Sequence, residues 1–202
     1  MTEEDLTLHC PMCDSGKLIV NSMLYSVPYF NELAMFTMKC PSCNFSHNDV
    51  FSPEERKPTR WTLVVDNPDL LRVRVVRSGS GTIRMLEMGI DIEPGPAAEG
   101  YISNVEGVLY RARPHVETAV KGAEQESEKK RGKEVLDMLN QAIKGEFTFT
   151  LVIEDPAGVS GILPDDLRLV KREELSIEEA SQLRGAPAWL DVARDEVQER
   201  KG

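Results

Sequence analysis

The sequence predicts a mainly β chain with one helical insertion, led by a small cysteine-clamped module. Three observations carry this. All four cysteines fall in the first 43 residues, as two CxxC pairs. Stretches of alternating apolar and polar residues recur between Trp61 and Ile153. Between them, one run from Pro114 to Lys144 turns rich in Glu, Lys and Ala. With 41% hydrophobic and 29% charged residues in a chain of 202, a real core can form and disorder is excluded.

The pairs are Cys10-Pro-Met-Cys13 and Cys40-Pro-Ser-Cys43. Each CxxC turn aims two thiolates at one point, and two turns complete a tetrahedral shell. Disulfides are disfavoured, because the compartment reads as reducing and closure within one CxxC is strained. A redox CxxC needs a βαβ setting that is missing here. Iron can use four thiolates, but paired knuckles favour zinc. Cys10, Cys13, Cys40 and Cys43 are therefore the expected ligands of one structural zinc. His9 and His47 flank the knuckles as possible substitutes and read as exposed or outer neighbours. Four protein ligands leave no position for water, so the ion should hold structure instead of doing chemistry.

Between the knuckles, apolar β-rich segments break near Pro28, as in a ribbon of short antiparallel strands. The polar Ser52–Pro58 stretch holds two prolines and marks a boundary. The expected units are a zinc ribbon at 1–52, a β domain at 53–185 and a tail at 186–202. The helical insertion is placed at 114–145.

In the β domain, Trp61–Val65 reads as a strand. Leu71–Val75 alternates strictly and reads as another, with its arginines wet. Arg72, Arg74 and Arg77 form a basic stripe that is either a solvated face or a partner surface. Ser78-Gly-Ser-Gly-Thr82 is a turn without the Gly-Lys-Ser/Thr of a phosphate loop. Ile90–Glu93 alternates and Pro94 breaks it. In the insertion, Val135, Leu136, Leu139 and Ile143 share a helical face, Gly132 is the expected turn of a helical hairpin, and Gly145 its end. Phe147, Phe149, Leu151 and Ile153 return to strand spacing, and Asp155–Gly158 is a turn. Ser176-Ile-Glu-Glu179 is a capping box that opens a short helix stopping at Gly185. Trp189 and Leu190 suggest a small docking helix in the tail.

The formal charge of −10 repels phosphate backbones and anionic membranes. No apolar run has bilayer length, and the N-terminus is acidic and polar, unlike a leader, so a cytoplasmic location is expected. Glu87, Asp91, Glu93 and Glu106 are the best candidates for a carboxylate site. Such density is ordinary in an acidic chain, and no Ser/His/Asp or Cys/His set is apparent; the third histidine is His115. A binding protein is favoured over an enzyme.

The two knuckles, Val27-Pro-Tyr-Phe30, Asn48-Asp-Val50, Arg77–Ile83, Ile92-Glu-Pro-Gly95, Gly100–Gly107 and Glu154–Gly158 together resemble the ZPR-type zinc-finger family. Ser103-Asn104 stands where the family usually has two threonines. Asn44 stands where glycine often follows the last cysteine, and Asn tolerates a left-handed backbone. The resemblance implies a zinc ribbon joined to a double-stranded β-helix-like domain carrying a helical hairpin, in the single-unit form typical of archaea. It further implies a protein that binds, and helps to fold, a translational GTPase of the elongation factor 1-alpha type. Ribbon, hairpin and the aromatics Tyr29 and Phe30 are the surfaces to suspect, with core packing an equal reading for the aromatics. The alternative is a nucleic-acid-binding zinc ribbon of transcription or translation.

Overall fold

The computed structural model describes residues 9–13, 18–27, 29–187 and 190. The acidic start, the break at Pro28, and the tail with Trp189 lie outside the described residues; Leu190 lies within and is buried.

The ribbon is a three-stranded antiparallel sheet of β1 (Ile19–Val27), β2 (Asn31–Lys39) and β3 (Ser46–Phe51), in the order β1-β2-β3. Its register runs from Ile19 opposite Lys39 to Val27 opposite Asn31. Tyr29 and Asn31 take positive φ of 73° and 57° at the hairpin tip. Asn44, at φ 59°, supplies the left-handed turn after the second knuckle that its side chain permits.

The second unit is a jelly roll of two sheets. One contains β4 (Thr59–Val65), β6 (Thr82–Met85), β7 (Ile90–Ile92), β9 (Phe149–Asp155) and β11 (Val170–Glu174), ordered β11-β4-β9-β6-β7. The other contains β5 (Arg74–Arg77), β8 (Tyr101–Asn104) and β10 (Gly161–Leu163), ordered β10-β5-β8. Neighbours pair antiparallel throughout. Leu63, Ile83, Leu151 and Ile153 from the first sheet meet Val75, Val76 and Ile162 from the second in one core. Alternation marks the inward face, as on β4, where Thr59, Trp61, Leu63 and Val65 are buried.

Two helices, α1 (Val105–Gly122) and α2 (Glu126–Ile143), form the hairpin; α3 (Ile177–Ser181) follows β11 behind its capping box. The hairpin begins nine residues before the expected Pro114, which lies inside α1. Asn104 caps α1 by accepting from the Gly107 N–H at 2.7 Å, and Val105, Val108, Leu109 and Ala112 bury on one face. That burial outweighs the backbone hydrogen bond a proline removes. The turn falls at 123–125, not at Gly132. Gln125 and Glu128 form a capping box, and Gly132 sits within α2, where a Cβ would collide with Val120.

A second correction concerns residues 71–75. Asn67 and Pro68 open a 3-10 helix over Pro68–Arg72 that buries both Leu70 and Leu71, and the strand starts only at Arg74. The basic stripe therefore breaks up. Arg72 and Arg74 are exposed, but Arg77 is buried.

Candidate metal centre

The two knuckles sit at the end of the ribbon away from the hairpin tip. The sulfur pairs Cys10–Cys43 and Cys13–Cys40 stand 3.6 and 3.7 Å apart. All four sulfurs lie within 4.8 Å of one another. A tetrahedron with zinc–sulfur bonds of about 2.3 Å has sulfur–sulfur edges of about 3.8 Å, so the set fits one ion. Backbone groups complete the knuckles: Met12 N–H points at Cys10 Sγ at 3.4 Å, and Asn44 N–H donates to the Cys40 carbonyl at 2.9 Å. None of the four is in a disulfide; Cys10 and Cys40 are buried, Cys13 half-buried and Cys43 exposed.

The electrostatics point the same way. Backbone N–H groups of Cys43 and then Ser42 lower the Cys40 thiol against its burial. At Cys43 the Phe45 N–H also lowers, but desolvation and the three neighbouring thiols outweigh it and push the group up to about 12. Four thiols this close cannot all ionise together without a cation to offset the repulsion. The four cysteines are positioned to bind one zinc ion.

Among the described residues, no other group of His, Cys, Asp and Glu side chains converges on one point. His9 is exposed, and His47 stacks on Phe45 with ring centroids 6.5 Å apart. The carboxylate candidates disperse. Glu87 accepts from Thr150 N–H and hydroxyl, Asp91 pairs with Arg84, and Glu93 pairs with Arg184. Glu106 lies in the first turn of α1.

The aromatics split. Tyr29 is partly exposed, with Arg172 4.7 Å above its ring. Phe30 is fully buried: its ring packs closely on Gly161, and Arg56 donates to its carbonyl at 2.7 Å. Phe30 thus belongs to the core shared by ribbon and jelly roll, not to a free surface.

Sequence reasoning missed the junction that this core creates. Asp49 on β3 accepts from the Gly79 N–H at 2.8 Å, and Asn48 O accepts from the Gly100 N–H at 3.0 Å. A Cβ at Gly100 would run into Asp49 and Val50, so the strand approaches this closely only because residue 100 is glycine. Behind it, Asp155 is wholly buried. It accepts from the hydroxyls of Ser78, Ser80 and Ser160 at 2.8, 2.7 and 2.6 Å, and from the N–H groups of Ala157, Val159 and Ser160. The Ser78–Thr82 turn is thus a cradle for an internal carboxylate. Glu154 alongside binds Arg60 at 2.6 Å and Arg84 at 2.8 Å. Burial alone would raise Glu154, but hydrogen bonds from Arg84 and Arg60 and their charges hold it below the usual range. No local signal marked it: Ser160 is the one serine near this turn, and Ser78 and Ser80 stand 77 and 75 residues before Asp155.

Similarity searches agree with this layout. Residues 4–58 match the ZPR1 zinc-finger domain and residues 69–182 the ZPR1 jelly-roll domain. A ZPR1-like protein of Methanocaldococcus jannaschii is 37% identical over 92% of each chain. One from Pyrococcus horikoshii is 38% identical over 93% of this chain and 84% of its own. The zinc finger chaperone zpr1 of Schizosaccharomyces pombe is 28% identical over 79% of this chain, which spans 34% of that longer relative.

Proposed function

This chain belongs to the ZPR1 family, and on that premise we propose that it is a non-catalytic zinc protein that engages and helps fold a translational GTPase of the elongation factor 1-alpha type. In this reading Cys10, Cys13, Cys40 and Cys43 ligate one zinc, which fixes the ribbon, and the protein acts in the cytoplasm. The S. pombe relative's name supports a chaperone role.

The observation that carries the proposal is the ribbon's outer strand. Eight of the nine residues of β1 are exposed, and the strand has no charged side chain. Ile19, Met23 and Leu24 are 53%, 60% and 67% exposed, with Met12 and Phe51 also out. Apolar surface gathered on one module and rimmed by an acidic protein marks a contact site for another protein. Methionine adapts to irregular apolar partners, as binding to an incompletely folded client requires. Among the described residues β1 is also an edge strand of its sheet. Among the described residues no helix is long and apolar enough to cross a membrane.

The test is refolding of the denatured cognate GTPase with and without the zinc-loaded protein, alongside affinity capture from lysate. The expected result is a higher yield of nucleotide-binding GTPase, lost in Met23→Asp/Leu24→Asp. No gain in yield together with no GTPase in the eluate overturns the proposal.

A further inference from the structure

A cavity of 150 Å³ opens between β8, α1 and the end of β7, lined by Arg77, Ile92, Glu99, Tyr101, Arg111 and His115. Arg77 is 7% exposed. Its Nε donates to the Gly81 carbonyl at 2.9 Å and its Nη1 to the Glu99 carbonyl at 3.2 Å, both neutral acceptors. Arg111 lies 4.3 Å from the Tyr101 ring centroid and Arg77 5.9 Å from the same centroid, so one ring brings two guanidinium groups to one cavity. His115 follows Arg111 one helical turn later.

Among the described residues neither guanidinium has an ion pair, whereas Arg60, Arg84 and Arg113 do. That is unusual in a chain with 34 acidic and 24 basic residues. Glu99, the one acid in the lining, is exposed. Burial disfavours the Arg77 cation, and so does the Arg111 charge, while Tyr101, Asp155 and Asp49 offset this in part. An anion between the two arginines would relieve both effects.

We infer that the Arg77–Arg111–His115 cavity is a binding site for one oxyanion, a single carboxylate or phosphate group. Its volume suits one such group and excludes a nucleotide. Planar guanidinium donors match both chemistries. The anion can come free, or on an acidic side chain of a polypeptide. A larger apolar groove between α1, α2 and β7 shares Ile92 and His115 with the cavity, so a bound segment could reach it. The site is separate from the ribbon and does not depend on which client the ribbon engages.

The experiment uses the full-length, zinc-loaded chain and two probes, titrated calorimetrically at matched chloride ionic strength. One is inorganic phosphate; the other is a leucine-rich peptide with one central Asp, with its Asn counterpart as control. Arg111→Ala and Arg111→Glu are the variants, because Arg111 is exposed and its loss leaves the core intact. Saturable phosphate binding that weakens at least roughly tenfold in Arg111→Ala and vanishes in Arg111→Glu supports a free anion. Peptide binding that needs both Arg111 and the Asp carboxylate supports an acidic segment. If neither probe saturates, or if binding is unchanged in both variants, the inference is overturned.

Discussion

In the jelly roll, Leu63, Ile83, Leu151 and Ile153 are fully buried and pack with two helices into a continuous core. In the ribbon, β1 exposes eight of its nine residues, and the buried apolar residues of the sheet gather toward the jelly-roll end at Val27, Leu33 and Val50. The two units are antiparallel β structures in one chain, held by different physics. One is stable because water leaves its interior; the other has too little interior and relies on four thiols around one point. A module fixed by metal can leave its apolar strand face open, which a module fixed by burial cannot do.

Metal removal should separate the two regions most sharply. Zinc binding in small modules is worth on the order of 10–16 kcal/mol. Chelation, or Cys40→Ser, should collapse the amide signals of Ile19–Lys39 in NMR while Ile83, Leu151 and Ile153 keep native dispersion. Simultaneous loss of both sets would break the comparison and make the shared Phe30 contact dominant.

Next in size is Asp155→Ala, which strips the carboxylate from three hydroxyls and three N–H groups beside the junction. A loss of about 3–5 kcal/mol is expected in urea unfolding, with the jelly roll affected first. A loss below about 1 kcal/mol would mean that the serines bond one another equally well.

Glu154 gives a smaller, pH-dependent effect. Its folded pKa lies below the unfolded value, so its contribution is complete above the usual glutamate range near about 4.3. It is lost as pH falls through the lower folded pKa. Because Arg60 and Arg84 are about a third exposed, Glu154→Gln should cost only about 1–2 kcal/mol at pH 7. Thermal melts from pH 7 to 3 should show a shallower decline in the variant than in the parent; parallel curves would refute the assignment.

The smallest stability effect is expected on the open strand. Leu24→Asp should shift stability by no more than about 0.5 kcal/mol, since the side chain is 67% exposed, yet abolish capture of the client. A large destabilisation would show that β1 is internal support.

Reading the fold from sequence worked where a local rule applied. Periodicity located β4 and β9, the capping box opened α3, and Gly145 ended the hairpin at φ 75°. It failed where a contact distant in sequence overruled the local signal. Pro114 looked like a helix start, but the apolar face of Val105, Val108, Leu109 and Ala112 carries α1 through it. Leu71–Val75 looked like a strand, but burial of both Leu70 and Leu71 requires a helical turn. Arg77 looked solvated on a stripe that does not exist.

The zinc centre was legible for a chemical reason: four thiols at paired-knuckle spacing complete a tetrahedral shell, and the turn geometry is local to each CxxC. The family patterns were legible as words without a meaning. Only the tertiary structure brings Asn48-Asp49-Val50, Ser78–Thr82, Gly100 and Asp155 to one junction between ribbon and jelly roll. It alone brings Arg77 and Arg111, which have no ion pair among the described residues, to one cavity. Spacing along a chain sets turns and ligands a few residues apart. Which buried charge meets which neighbour depends on how sheets stack, and that is set by the whole core at once.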